Sequence, residues 1–129
     1  MSLCIRKVLV ATVLTLGWSS LSVAQDLSKT YSNCMDQSGG VTVEMLNCIG
    51  SETEHQDALL NQAYRDVMAE LSPERKTELR NAQRAWIKYR DLNCEFYADP
   101  DGGTMASLQS NSCFMTMTAS RARELRGFQ

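Results

Sequence analysis

Leu79 to Cys94, LRNAQRAWIKYRDLNC, is the stretch that decides the fold of this chain. Leu79, Ala82, Trp86, Tyr89, Asn93 and, just beyond it, Phe96 recur at steps of three and four. That spacing aligns them along one side of a helix. Five of the six are apolar or aromatic, so the row is expected to face a core. Arg80, Arg84 and Lys88 form a second row at steps of four. Like charges at that spacing repel mildly, so this row belongs in solvent or opposite the carboxylates of another helix.

Working outward, Ser72-Pro73 is the sharpest boundary in the sequence. Serine caps a helix, and proline at the first position lacks only a hydrogen that would go unpaired there anyway. The central helix is therefore expected from Pro73 to about Ala98. Asp99-Pro100-Asp101-Gly102-Gly103 is a strong turn signal. Thr104 is the expected cap of a last helix carrying Met105, Leu108, Met115, Ala119, Ala122 and Leu125. Its arginines, Arg121, Arg123 and Arg126, sit at the end that the helix dipole favours for cations. Before Ser72, a long helix is expected from Val43 to Leu71, capped by Thr42. Ile49, Leu60, Ala63, Val67 and Leu71 lie near one face of it, widened by Leu59, Tyr64 and Met68. Its first half is polar, SETEHQD, and is expected to lean on a bridge at Cys48 or to bend near Gly50. Asp26 to Asp36 reads as a short helix ended by Gly39-Gly40. No stretch alternates long enough to require a strand. The expected fold is all-α: a small antiparallel helical bundle of one short and three longer helices.

The first residues read as a leader. Arg6 and Lys7 precede an apolar run from Val8 to Leu16, and Ser22-Val23-Ala24 offers small residues where a signal peptidase reads. Cleavage after Ala24 would leave residues 25–129 as one small domain, exported to the periplasm or secreted. The apolar run is too short to span a bilayer, which takes about 20 residues. Cys4 precedes it, where a lipid-anchoring signal would not place a cysteine. No membrane insertion is therefore expected after cleavage. The whole chain has 13 basic and 15 acidic residues. Loss of Arg6 and Lys7 leaves a formal charge of −4, which suits a cationic protein partner better than a nucleic acid. Four cysteines remain, Cys34, Cys48, Cys94 and Cys113, and an even number in a small exported domain reads as a disulfide framework. Three pairings can form. Cys34–Cys48 and Cys94–Cys113 are favoured because each brackets a glycine pair at which the chain can reverse. Each would close a loop of roughly 15–20 residues, a constraint of about 3 kcal/mol.

Nothing in this chain spells out a reaction. The lone histidine, His55, has neither the companion ligands of a zinc site nor the geometry of a triad with Ser51 and Asp57. It reads as a surface residue. Gly102-Gly103 lacks the spacing and the Lys-Ser/Thr of a phosphate loop and reads as a turn. Trp86 reads as core, and the arginines of the central helix as salt-bridged or solvated. No catalytic residue, metal or cofactor is expected. One asymmetry is informative. From Asp91 through Ser120 there is no lysine or arginine, whereas Asp91, Glu95, Asp99 and Asp101 are present. Glu95, Tyr97, Asp99 and Asp101 thus form an acidic, aromatic-containing edge. Three uses fit it: docking a basic protein, weak binding of a hard cation such as Ca²⁺, or solubility alone. The competing classes are a protein-binding module, a structural or interaction component of the cell envelope, and a small hydrolase.

Several segments together resemble the LprI-type lysozyme inhibitor family of small exported bacterial domains. They are Cys34 to Cys48; Leu59-Leu60-Asn61-Gln62-Ala63-Tyr64; Leu79 with Ala82-Gln83-Arg84-Ala85-Trp86; Tyr89-Arg90-Asp91-Leu92-Asn93-Cys94; and Gly102-Gly103, Cys113, Thr118, Arg121 and Glu124-Leu125. The resemblance implies a helical, disulfide-tied domain outside the cytoplasm and, as a function, inhibition of lysozyme. Lysozyme is cationic with an acidic cleft. An inhibitor could meet its basic surface with the edge from Glu95 to Asp101, or insert an arginine or polar loop toward the catalytic acids. Arg84, Trp86, Tyr89, Arg90 and Asp91 match the family's motif, and a scaffolding role explains that match.

Overall fold

A computed structural model describes residues 27–128. The expected leader, residues 1–24, and Asp26 lie outside the described residues. The fold is all-α: α1 (Lys29–Gln37), α2 (Thr42–Glu70), α3 (Pro73–Phe96) and α4 (Gly103–Arg126). Two bridges tie it, Cys34–Cys48 and Cys94–Cys113. Both pairings expected from the glycine-bracketed loops are the ones formed.

Local chemistry places the helix ends. Ser72 Oγ accepts from the Arg75 N–H, and Pro73 opens α3. Ser28 Oγ accepts from the Tyr31 N–H and caps α1. Two expected caps differ. Thr42 is the first residue of α2, flanked by an extended Val41, and Thr104 lies inside α4, whose flank is Gly102. α2 continues through Gly50 without interruption. The α3–α4 turn has a steric reason for glycine. A Cβ at Gly102 would sit 2.7 Å from that of Ala106, and Gly103 has φ +60°, a region that side chains disfavour.

Packing divides the molecule into two halves. Leu60, Ala63 and Val67 of α2 meet Ala122 and Leu125 of α4, with Leu59, Tyr64, Leu71, Leu79 and Trp86 against them. The C-terminal halves of α2 and α4 thus lie side by side, and α3 runs back between their ends. Toward the α3–α4 turn the interior changes character. Ile49, Ala106 and Met115 are buried there along α2 and α4, but so are Glu52, Gln56 and Ser110. Glu52 is 3 % exposed. Its carboxylate accepts from the Ser28 N–H (Oε1, 2.9 Å), the Ser28 hydroxyl (Oε2, 2.5 Å) and the Gln56 amide (2.7 Å). The polar half of α2 is therefore secured by this network as well as by the Cys48 bridge.

The expected inward row of α3 is out of phase at several positions. Its buried and half-buried residues are Lys76, Leu79, Gln83, Trp86, Arg90, Asp91, Asn93 and Cys94. Ala82, Tyr89 and Phe96 face outward, as does Met105 at the start of α4. The polar residues Gln83 and Arg90 take inward positions because α4 supplies them with partners, described below. Arg80, Arg84 and Lys88 are exposed.

Candidate functional site

Two constellations occupy α3 and α4. The first is a clasp between the two helices. The Arg90 guanidinium lies 5.1 Å from the Trp86 ring centroid and 5.5 Å from that of Phe114, and Arg121 lies 6.0 Å from Trp86. Cations at such distances are attracted by the negative faces of aromatic rings. Arg90 donates to Asp91 Oδ1 (2.8 and 3.0 Å) and to Thr118 Oγ1 (3.3 Å). Arg121 donates through Nε to Gln83 Oε1 (3.0 Å) and pairs with Glu124 (2.7 Å). Arg121 is only 8 % exposed. A charge so buried is tolerable only when it is paired and hydrogen-bonded, and Gln83, Glu124 and the Trp86 face together meet that need.

Of the motif residues singled out in the sequence, the clasp brings together Trp86, Arg90 and Asp91. It does not include Arg84 or Tyr89, both of which are exposed. Gln83, Phe114, Thr118, Arg121 and Glu124 complete it. Steps of 3, 4 and 3 from Gln83 through Trp86 and Arg90 to Asn93 carried the signal, but reading only apolar residues as inward-facing hid it. A sulfur-rich floor continues the contact toward the turn. Asn93 Nδ2 approaches Cys113 Sγ (3.4 Å) and Met117 Sδ (3.5 Å) beside the Cys94–Cys113 bridge.

The second constellation is the tip formed by the end of α3 and the following turn. Glu95, Tyr97, Asp99 and Asp101 are all exposed there. Asp99 Oδ1 accepts from the Asp101 N–H at 2.9 Å, which fixes the turn. Phe96 is 82 % exposed, and its ring meets that of Tyr97 edge-on at 5.9 Å. Glu95, Phe96, Tyr97, Asp99, Pro100 and Gln109 border a shallow hollow of about 430 Å³. Leu92, and Met105 from the expected apolar row of the last helix, are exposed nearby in the sequence. The tip can offer aromatic contact area and negative charge to a partner.

Perturbed titration lies elsewhere. Burial pushes the Glu52 carboxyl up, but hydrogen bonds from Ser28 and Gln56, with His55 nearby, outweigh it and hold the group below its ordinary value. The Tyr31 hydroxyl is raised, by burial and then by the Glu52 charge. Ser28, Tyr31, Glu52, His55 and the Cys34–Cys48 bridge line a hollow of about 300 Å³. Among the described residues no group of three His, Cys, Asp or Glu side chains could hold a metal ion, and no helix is long and apolar enough to cross a membrane.

A protein of Rhizobium meliloti (strain 1021), itself uncharacterized, is 32 % identical to this chain over 93 residues, which are 61 % of this chain and 67 % of that protein. No solved structure matches the chain at a significant level. The family profile described as Lysozyme inhibitor LprI matches residues 34–125, a span that takes in both disulfides, the whole clasp and the acidic tip. The chain belongs to the LprI family.

Proposed function

We propose that this protein is an exported, non-catalytic binding module that docks a cationic protein, with lysozyme as the target, through the acidic tip at the end of α3. The observation that carries this reading is the tip itself. Exposed Phe96 and Tyr97 stand among Glu95, Asp99 and Asp101, in a stretch from Asp91 through Ser120 that has no lysine or arginine. Aromatic rings supply contact area at low entropic cost, and the carboxylates steer a basic partner and set its orientation. Two of the matched arginines, Arg90 and Arg121, are already held by Trp86, Asp91, Gln83 and Glu124, which leaves the exposed Arg84 for an inserted-arginine contact and favours the tip. Two disulfides suit a chain that works in an oxidising compartment, the periplasm or the exterior. The family name supports the choice of lysozyme.

The test is inhibition of c-type lysozyme on a cell-wall suspension by the purified, disulfide-bonded protein, titrated to excess at several salt concentrations. Saturable inhibition near one-to-one stoichiometry, weakening as ionic strength rises, is expected. Asp99→Lys with Asp101→Lys should abolish it while the helical circular dichroism stays unchanged. Failure of the folded, oxidised protein to inhibit would remove lysozyme as the target. Inhibition that survives the double substitution would move the contact off the tip.

A further inference from the structure

α3 carries two apolar faces, and α4 covers only one. The covered face runs Leu79, Gln83, Trp86, Arg90 and Asn93. The other runs Ala82, Ala85, Tyr89, Leu92 and Phe96, at steps of 3, 4, 3 and 4, and all five residues are exposed. Tyr89 is 61 % and Leu92 58 % exposed, so this is not a grazing fringe of the core. Apolar residues alternating at three and four make the seam of a two-helix coiled contact.

We infer that this face binds a second copy of the chain, α3 against α3, antiparallel about a two-fold axis. Size and charge both select that occupant. A two-fold contact must be self-complementary. Setting Leu92 of one copy opposite Tyr89 of the other places Phe96 opposite Ala85, the largest seam residue over one of the smallest. Symmetry repeats both pairs. The same register settles the charges. Lys88 and Glu95 are seven residues apart and flank the seam on the same side, since seven residues make almost two whole turns. In the antiparallel arrangement same-side flanks meet, so Lys88 of each copy faces Glu95 of the other. A parallel pair in register would instead bring opposite flanks together, setting Lys88 beside Asn93 and offering Glu95 no cation. Asp99 and Asp101 lie beyond the last seam residue, one tip at each end of the pair. Glu95 and Phe96 belong to both the seam and the tip, so the pair and a docked cationic partner would compete for them; the inference does not rest on the partner-docking reading, and its test needs no lysozyme.

Three large side chains per copy make a contact below the size of a stable obligate interface, so association is expected at roughly 10–100 µM. Sedimentation velocity on the disulfide-bonded protein from about 5 to 500 µM reads it directly. The expected result is a shift from one chain to two across that range. Lys88→Glu alone and Glu95→Lys alone each set like charges at two places and should weaken association at least tenfold. The two variants mixed should associate with each other, and the double exchange Lys88→Glu/Glu95→Lys should restore self-association. Lys88 and Glu95 are both exposed, and circular dichroism should show the variants as helical as the wild type. A folded wild-type protein that stays monomeric throughout overturns the inference. So does a dimer that is indifferent to the single charge reversals, or single variants that fail to associate when mixed.

Discussion

Replacing Glu52 with glutamine changes one oxygen to an amide group and nothing in shape, yet it strikes the buried polar end of the molecule. The native carboxylate takes three hydrogen bonds, from the Ser28 N–H, the Ser28 hydroxyl and the Gln56 amide. Ser28 is also the cap of α1. Glutamine keeps one acceptor oxygen for three donors. Its NH₂ must then stand either where the Ser28 hydroxyl now donates to Oε2, or at Oε1 against both the Ser28 N–H and the Gln56 amide donor. Charge-assisted bonds contribute about 1.5–3 kcal/mol each against about 1 for neutral ones. Loss of the charge with one mismatched bond should thus cost about 2–3 kcal/mol, or roughly 8–20 °C in Tm for a domain near 100 residues. The pH dependence isolates the cause. The folded-state pKa of Glu52 lies below its ordinary value of 4.5. Its contribution is therefore fully present above the unfolded-state value and is lost as pH falls through the folded-state value. Thermal unfolding followed at 222 nm should show a wide gap between wild type and Glu52→Gln at pH 7 that narrows toward pH 2–3. A gap of the same width at both pH values, or none at pH 7, would refute the role assigned to the carboxylate.

Other outcomes follow from the clasp and the bridges. Arg121→Met leaves Gln83 Oε1 without its guanidinium donor, and Gln83→Leu removes the acceptor of a buried charge; a double-mutant cycle by urea unfolding should give a coupling of about 1–2 kcal/mol. Trp86→Ala removes the ring that meets two guanidinium groups and packs on the Leu60–Leu125 cluster, and should cost about 3 kcal/mol with loss of near-ultraviolet dichroism. Cys94→Ser with Cys113→Ser opens the link across 19 residues between α3 and α4, for an expected loss of about 3 kcal/mol in urea unfolding.

How far the sequence could be read depended on the kind of residue. Boundaries with their own chemistry were plain: Ser72-Pro73 opens α3, and the glycine pairs mark both turns and the pairing of the cysteines across them. The phase of α3 was harder, because two apolar stripes share that helix and the covered one includes a glutamine and an arginine. Periodicity counts apolar residues, and it cannot know that α4 will bring Thr118, Phe114 and Arg121 to satisfy Gln83 and Arg90. Tyr89 and Phe96 were accordingly assigned to the wrong side. Glu52 was hidden for the same reason, since two of its three donated bonds come from residue 28, which is distant in sequence. The acidic tip was legible because charge asymmetry needs no partner to be seen. The apolar exposure around it, at Phe96 and Leu92, follows from the phase of α3.

The two bridges and the main apolar cluster are held in opposite halves of the molecule. Leu60, Ala63, Val67, Ala122 and Leu125 sit toward the C-terminal ends of α2 and α4, whereas Cys48 and Cys94–Cys113 lie toward the α3–α4 turn. One half can therefore collapse by excluding water with no help from an oxidant. The other, with its buried carboxylate and amide, leans on the bridges as well as on Ile49, Ala106 and Met115. Joining the thiols would therefore steady the end of the molecule that carries the acidic tip, and a reduced chain should loosen there first while the Leu60–Leu125 cluster holds.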